Sequence, residues 1–188
     1  KLMRNGERYQ HLFEGDGMVH QFRINKYGIQ HQGKFVQTPK YIHEQEVDRF
    51  LYSGPDSKFN NSLPVTTKDV INTANTNVIP MNGELWALWE VGSPVALNRH
   101  DLSTKGIVNL GENSKFGDAL KGMAFSAHPK KEADGTLWNF GLSPTGNIVI
   151  YRLNKFGITE QAGLVKANYR GGMLHDFLIT KDYVLLIL

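Results

Sequence analysis

The sequence predicts an all-β fold, because it combines frequent turn signals, strand-like segments and little helical periodicity. Its 188 residues include 19 glycines and seven prolines, and many of these stand in turn-forming pairs. The segments between the turns are rich in β-branched and aromatic residues and recur at roughly 8–12-residue spacing. This spacing is typical of a β-sandwich, a barrel or a propeller, and the length fits a single domain.

The predicted elements follow one another between these turns. The turn signals include Tyr27-Gly28, Asn82-Gly83, Asp134-Gly135 and Phe156-Gly157. The strand-like segments are residues 19–24, 83–90, 136–142, 147–153, 173–180 and 183–188. Only residues 44–52 have the apolar spacing of a short helix. Residues 53–69 are polar and contain two prolines, so we expect a surface loop there.

Composition and charge exclude several classes of protein. The chain has no cysteine, which excludes a disulfide scaffold, a cysteine-ligated zinc site, an iron–sulfur cluster and a thiol nucleophile. The formal charge of +3 comes from scattered lysines and arginines, so nucleic-acid binding is not indicated. No uninterrupted apolar run reaches the ~18 residues that a membrane-spanning helix needs. Histidines and carboxylates therefore remain as the candidates for chemistry.

Two histidines differ from the other five because they stand in strand-like surroundings. His128 precedes the predicted Asp134-Gly135 hairpin. His175 is expected on an alternating strand, on the same face as Met173 and Phe177. No zinc spacing such as H-E-x-x-H occurs, and on spacing alone two hydrogen-bonded core histidines are the simpler interpretation. We also expect core positions for Trp86, Trp138 and Phe140.

Four segments together resemble the carotenoid cleavage oxygenases, a family that includes lignostilbene dioxygenases and the visual-cycle retinoid isomerase. They are residues 11–20 (HLFEGDGMVH), 83–94 (GELWALWEVGSP), 127–141 (AHPKKEADGTLWNFG) and 173–184 (MLHDFLITKDYV). The segments occur in the order of the family, and the resemblance extends from Arg8 to Leu188.

This resemblance implies a seven-bladed β-propeller with a ferrous ion on its axis, held by four histidines from four blades. His128 and His175 match the first two of these ligands, and no catalytic residue is expected beyond the metal site. We therefore expect residues 1–188 to form one partial propeller domain with roughly half of the blades. The remaining half and its two histidines would be required for activity, so the chain alone is expected to be inactive.

Three further positions match the family's site. Glu90 is expected to accept the other ring N–H of His175 and so to orient it, because neutral histidine ligands need such acceptors. The alternative is a strand-end glutamate in solvent. Phe13 and Trp89 match positions that line an apolar tunnel, where aromatic faces would hold a conjugated chain.

The implied function is a non-haem iron(II) dioxygenase that uses O2 to cleave a conjugated carbon–carbon double bond into two carbonyl products. Lignostilbene-type members resemble one another in having a lysine immediately before the strand-end glutamate, and here that residue is Trp89. This difference favours an apocarotenoid substrate. The alternatives are phenolic stilbene cleavage, retinoid-type isomerisation, or a metal-free propeller that only binds a partner. We expect a cytoplasmic protein that contacts a membrane peripherally to collect its apolar polyene.

Overall fold

The computed structural model consists mainly of antiparallel β-strands, and it describes residues 1–143, 145–167, 169 and 174–187. Its strands are β1 (Met3–Arg4), β2 (Glu7–Arg8), β3 (Met18–Asn25), β4 (Gly28–Phe35), β5 (Asn77–Met81), β6 (Glu84–Leu88), β7 (Val95–Leu97), β8 (Thr104–Ile107), β9 (Lys130–Lys131), β10 (Leu137–Leu142), β11 (Ile148–Leu153), β12 (Thr159–Val165), β13 (Phe177–Ile179) and β14 (Val184–Leu186). The helix α1 spans Pro39–Val47, and short 3-10 helices span Leu12–Glu14, Lys68–Ile71 and Gly117–Leu120.

Two four-stranded antiparallel sheets form the centre of the described structure. One has the order β5-β6-β7-β8 and the other the order β12-β11-β10-β9, so neighbouring strands are also consecutive in sequence. The hairpins β1-β2, β3-β4 and β13-β14 are separate two-stranded sheets. The prediction of an all-β fold is confirmed. Four-stranded antiparallel sheets of this kind are the units of propeller blades.

The sheets pack against one another in chain order. Apolar side chains on both faces of the inner strands make these contacts. On β6, Trp86 and Leu88 pack against the sheet β9–β12, whereas Ala87 packs toward β3 and β4. On β10, Leu137 faces the β5–β8 side and Phe140 faces the β13-β14 hairpin. Successive side chains on a strand point to opposite faces, so the inner strands β6 and β10 bury side chains on both sides of their sheets.

The turn chemistry of the sequence accounts for two of the hairpins. Asn82 and Gly83 join β5 to β6 with positive φ angles of 47° and 81°, the combination that a two-residue hairpin turn needs. Between β9 and β10, Gly135 has a φ of 92°, and the Asp134 carboxylate accepts hydrogen bonds from Thr136 N at 2.8 Å and Oγ1 at 3.1 Å.

The expected helix at residues 44–52 is wrong in both bounds. Helix α1 starts at Pro39, because Thr38 caps it by accepting a hydrogen bond from Tyr41 N at 3.1 Å and proline suits the first helical position. It ends before Asp48, whose φ of 47° is left-handed. Beyond it, residues 53–67 form neither helix nor strand, and Ser57 within this stretch is buried.

The expected strand at residues 173–180 is also wrong in its extent. Strand β13 covers only Phe177–Ile179, because its partner β14 pairs from Leu186 opposite Phe177 to Val184 opposite Ile179. His175 therefore precedes the strand. Met173, the first residue of the predicted strand, lies outside the described residues, as does Leu188.

No helix in the described part of the chain has the length and apolarity needed to cross a membrane.

Candidate metal centre

Glu90, His128 and His175 converge from three separate segments of the chain. Glu90 follows the last residue of β6 by two positions, His128 precedes β9 by two, and His175 precedes β13 by two. Each offers one nitrogen or oxygen, and these atoms all lie within 4.8 Å of one another. The ends of two central strands and one hairpin thus bring together residues that are far apart in sequence.

A single carboxylate oxygen of Glu90 faces both imidazole rings. Glu90 Oε1 lies 2.8 Å from His175 Nδ1 and 3.2 Å from His128 Nε2. The centroids of the two rings are 4.3 Å apart, and the ring planes are inclined by 63°. The Glu90 side chain is only 7% exposed, so this cluster has a buried carboxylate at its base.

The cluster fits a metal ion. Neither histidine contact has hydrogen-bond geometry, and within the described residues Glu90 Oε1 and His128 Nε2 are buried without a hydrogen-bond partner. A buried polar atom left in this way costs about 1–3 kcal/mol. Imidazole nitrogens are ligands that divalent iron accepts, and a cation bound by the two rings beside the Glu90 carboxylate would offset the cost of burying these atoms.

The electrostatics of Glu90 reflect its burial. Burial raises the pKa of Glu90, because the charged carboxylate loses its hydration. The backbone N–H of Ala127, which donates to Glu90 Oε2 at 3.4 Å, and the two histidines oppose this effect without cancelling it. A bound cation would add a further interaction that favours the carboxylate.

Hydrogen bonds to buried groups hold the His128 segment, defined here as residues 124–128. The Asn139 side chain donates to Ser126 O at 2.8 Å, and the Asn77 side chain donates to Ala127 O at 2.8 Å. Ser126 Oγ in turn accepts from the backbone N–H of His128 at 3.2 Å. The two central sheets therefore fix the backbone that carries this histidine.

The His175 segment, defined here as residues 174–176, is held differently. Leu174 packs into the apolar cluster beside β13, while the His175 side chain is 48% exposed. Among the described residues, no hydrogen bond joins the backbone of this segment to another segment. Its polar links are made by side chains: His175 to Glu90, and Asp176 to Lys130 Nζ at 2.6 Å.

A cavity of about 450 Å³ opens onto Glu90 and His175. Its walls are mainly apolar and aromatic, and they include Tyr9, Phe13, Ile71, Trp89, Phe140 and Leu142. Phe13 and Trp89 thus lie in the same cavity as two residues of the candidate metal centre. Phe140 is buried, as expected of a core residue, and it also lines the cavity, a role that the sequence did not suggest.

Buried charges support another part of the cavity wall. Lys40 lines the cavity, and its ammonium contacts Asp16 at 2.7 Å and Glu44 at 3.0 Å. Burial opposes ionisation of Asp16, yet Lys40 lowers the pKa of this carboxyl below its ordinary value. Lys40 also lies 4.6 Å from the centre of the Tyr9 ring.

Glu14 joins two parts of the same wall, and no motif or spacing in the sequence predicts this contact. Its carboxylate accepts hydrogen bonds from Ser57 N at 2.9 Å, Ser57 Oγ at 2.5 Å and Asp56 N at 3.1 Å. A Cβ atom at Gly54 would lie 1.9 Å from Glu14 Oε1, so any larger residue at this position would displace the Glu14 carboxylate from its hydrogen bonds. The turn that carries Phe13 is thereby tied to the loop around residues 54–57.

Comparison with known proteins decides the family. The family model described as retinal pigment epithelial membrane protein (RPE65) matches residues 1–188. The chain belongs to the RPE65/carotenoid cleavage oxygenase family. This membership confirms the resemblance seen in the four sequence segments.

Two relatives of this chain are oxygenases named for different substrates. The chain is 31% identical to resveratrol cleavage oxygenase 1 of Aspergillus fumigatus, over 92% of this chain and 34% of that protein. It is 30% identical to apocarotenoid-15,15'-oxygenase of Synechocystis sp., over 99% of this chain and 40% of that protein. The chain therefore spans roughly a third to two fifths of the length of these relatives.

Solved structures of the same family share the fold. The lignostilbene dioxygenase of Pseudomonas brassicacearum matches with a TM-score of 0.76 and 31% identity, over 93% of this chain and 35% of that one. A cobalt-substituted Synechocystis ACO matches with a TM-score of 0.75 and 28% identity, over 98% and 40% of the two chains. A protein of this family can therefore hold a transition metal.

Proposed function

We propose that this chain is part of a non-haem iron(II) dioxygenase that cleaves a conjugated carbon–carbon double bond of an apocarotenoid. The observation that carries the proposal is the position of Glu90 and His175 on the wall of an apolar cavity, with His128 in contact with the same carboxylate. A metal bound there would meet a substrate held by apolar walls. The family membership supports oxygenase chemistry at this site.

In this proposal His128 and His175 hold the ferrous ion. Bound iron would supply the activation of O2. His175 Nδ1 lies 2.8 Å from Glu90 Oε1. In the assembled site Glu90 would accept the Nδ1–H and orient the ring, which would leave Nε2 of His175 for the metal. We propose that the whole site belongs to a seven-bladed propeller and takes two further histidines from a part of the protein beyond these 188 residues. This chain alone would then be inactive.

The cavity walls favour an extended apolar substrate. The indole of Trp89 and the ring of Phe13 offer flat faces to a conjugated chain, and they exclude water from the bond that reacts. A phenolic stilbene would need a polar anchor. Lys40 lines the cavity, but its ammonium is already paired with Asp16 and Glu44, so it is not free for a phenol oxygen.

The test is product analysis on the protein expressed from its complete gene, with an apocarotenal and a 4-hydroxystilbene as substrates. We expect cleavage of the apocarotenal to two carbonyl products, each with one oxygen atom from O2. We also expect Trp89→Lys to lower apocarotenal cleavage and raise stilbene cleavage, because an ammonium replaces an apolar face. Trp89→Phe is the matched control and should retain the preference of the parent protein.

Other outcomes would support the alternatives. Cleavage of the stilbene alone would favour phenolic stilbene cleavage, the reaction suggested by the resveratrol-cleaving and lignostilbene-cleaving relatives. A product without oxygen from O2 would favour retinoid-type isomerisation. Absence of bound iron would favour a metal-free binding module. The polyene dissolves poorly in water, so peripheral membrane contact also belongs to the proposal, and co-sedimentation with lipid vesicles would test it.

A further inference from the structure

The two candidate histidine ligands are connected by a second contact, outside the cluster with Glu90. Lys130 lies two residues after His128, and Asp176 directly follows His175. The Lys130 ammonium contacts Asp176 Oδ1 at 2.6 Å and lies 5.6 Å from the centre of the Phe177 ring. This ion pair therefore links the chain just beyond one histidine to the chain just beyond the other.

We propose that Lys130 and Asp176 are positioning residues that set the spacing of His128 and His175 for a shared metal ion. The proposal rests on the proposed function, since it takes these histidines as ligands. Its basis is the contrast between the two segments. Hydrogen bonds from Asn77 and Asn139 to backbone oxygens fix the His128 segment. Within the described residues, the polar contacts that join the His175 segment to other segments are made by its side chains.

The pair has little weight in overall stability, which separates positioning from folding. The side chains of Lys130 and Asp176 are 28% and 53% exposed, and ion pairs with this exposure contribute about 0–1 kcal/mol to folding. The geometric effect is larger, because metal ligands must be held within a few tenths of an ångström. Loss of groups that orient metal ligands typically lowers metal affinity by about 10–100-fold.

The experiment compares single substitutions in the protein expressed from its complete gene. Lys130→Met removes the charge but keeps an unbranched aliphatic side chain, and Asp176→Asn keeps the size of the side chain. The iron(II) dissociation constant is measured by competition with a chelator, and the midpoint of thermal unfolding is measured without metal. We expect each variant to bind iron(II) about tenfold more weakly. The metal-free midpoint should change by no more than about 2 °C.

A second ion pair provides the matched control. Arg152 contacts Glu160 at 2.5 Å, and these side chains are 29% and 42% exposed. They lie on β11 and β12 and do not line the cavity. Arg152→Met should leave iron(II) affinity within about twofold of the parent protein. The charge-reversed double variant Lys130→Asp with Asp176→Lys should recover most of the lost affinity, because it restores the link between the segments.

Cobalt(II) absorption adds a readout that a purely structural role would not move. The single variants should shift the visible ligand-field bands of the cobalt-loaded protein, since these bands report ligand geometry, and Arg152→Met should not. Parent-like iron(II) affinity in both single variants would overturn the positioning role, as would an equal loss in Arg152→Met. Failure of the proposed function is distinguishable, because His128→Ala and His175→Ala would then retain the metal.

Discussion

The segments that carry the two candidate histidine ligands are built in opposite ways. The His128 segment receives hydrogen bonds from side chains on two sheets, a buried one from Asn139 and a partly buried one from Asn77, and Ala127 within it is fully buried. The His175 segment is anchored by the packing of Leu174 and by the side chains of His175 and Asp176. One histidine is placed by the folded sheets, and the other is placed by contacts made at the site itself.

This difference indicates where metal binding and structure are coupled. Fixed backbone groups around His128 give this candidate ligand a position that does not depend on a metal. His175 depends on Glu90 and on the Lys130–Asp176 pair, so a metal ion would complete its positioning. Segments with few buried contacts open at low free-energy cost. We therefore expect the metal to protect the His175 segment more than the His128 segment.

Removal of either imidazole should have the largest effect, because it takes a candidate metal ligand away from one of the two segments. His128→Ala and His175→Ala should each reduce bound iron from about one per chain to less than about a tenth of that. Cleavage activity should be lost with the metal. Metal analysis after purification without chelator provides the measurement. His100→Ala, at an exposed histidine outside the cluster, should retain iron, and normal iron in the other two variants would contradict their role as ligands.

Replacement of Glu90 should have the next largest effect, because this residue touches both segments. Its Oε2 accepts from Ala127 N, and its Oε1 faces both histidines. Glu90→Gln keeps the shape but removes the negative charge that holds the ring N–H, so iron affinity should fall about 10–100-fold. Chelator competition measures the affinity, and circular dichroism should show an unchanged fold. Unaltered affinity would mean that Glu90 does not orient His175.

The sequence predicted the parts of the fold that depend on local chemistry. The strand-like segments 136–142 and 147–153 correspond to β10 and β11, each of which starts one residue later than predicted and ends at the predicted residue. The Asn82-Gly83 turn also formed as its residues require. Apolar spacing does not locate the start of α1, because the cap formed by Thr38 and the proline at position 39 sets that start.

The contacts between segments were less accessible to prediction. His175 was assigned to a strand from its alternating pattern, but the pairing of β13 with β14 stops at Phe177. The proximity of Lys130 to Asp176, and that of Glu14 to Ser57, depends on how separate segments pack. No periodicity in the chain encodes such pairs. The residues of the metal cluster were named through the family resemblance, since spacing alone did not distinguish them from core histidines.

Loss of the hydrogen bonds that hold the His128 segment should lower the stability of the fold rather than act directly on metal affinity. Asn139 is fully buried, and its side chain donates to Ser126 O. Asn139→Ala would leave that carbonyl without this donor, so the free energy of unfolding should fall by about 1–3 kcal/mol. Urea denaturation measures the change. Asn77→Ala is the matched comparison, because its hydrogen bond to Ala127 O is only partly buried and its loss should have a smaller effect.

Acid should cause the smallest change, at the hairpin turn that follows the His128 segment. Hydrogen bonds from Thr136 N and Oγ1 lower the pKa of Asp134 below its ordinary value of 3.8. A group with a lowered pKa stabilises the folded state above that ordinary value, and this contribution is lost as the pH falls through the folded-state pKa. Asp134 is fully exposed, so the turn should loosen locally below about pH 4 without global unfolding. Hydrogen exchange of the Thr136 amide should detect this loosening as a loss of protection.

Asp134→Ala should remove the pH dependence of that protection, while the amides of the buried His128 segment remain protected in both proteins. Loss of protection in that segment at the same pH would contradict the view that the folded sheets fix it independently of its flanking turn.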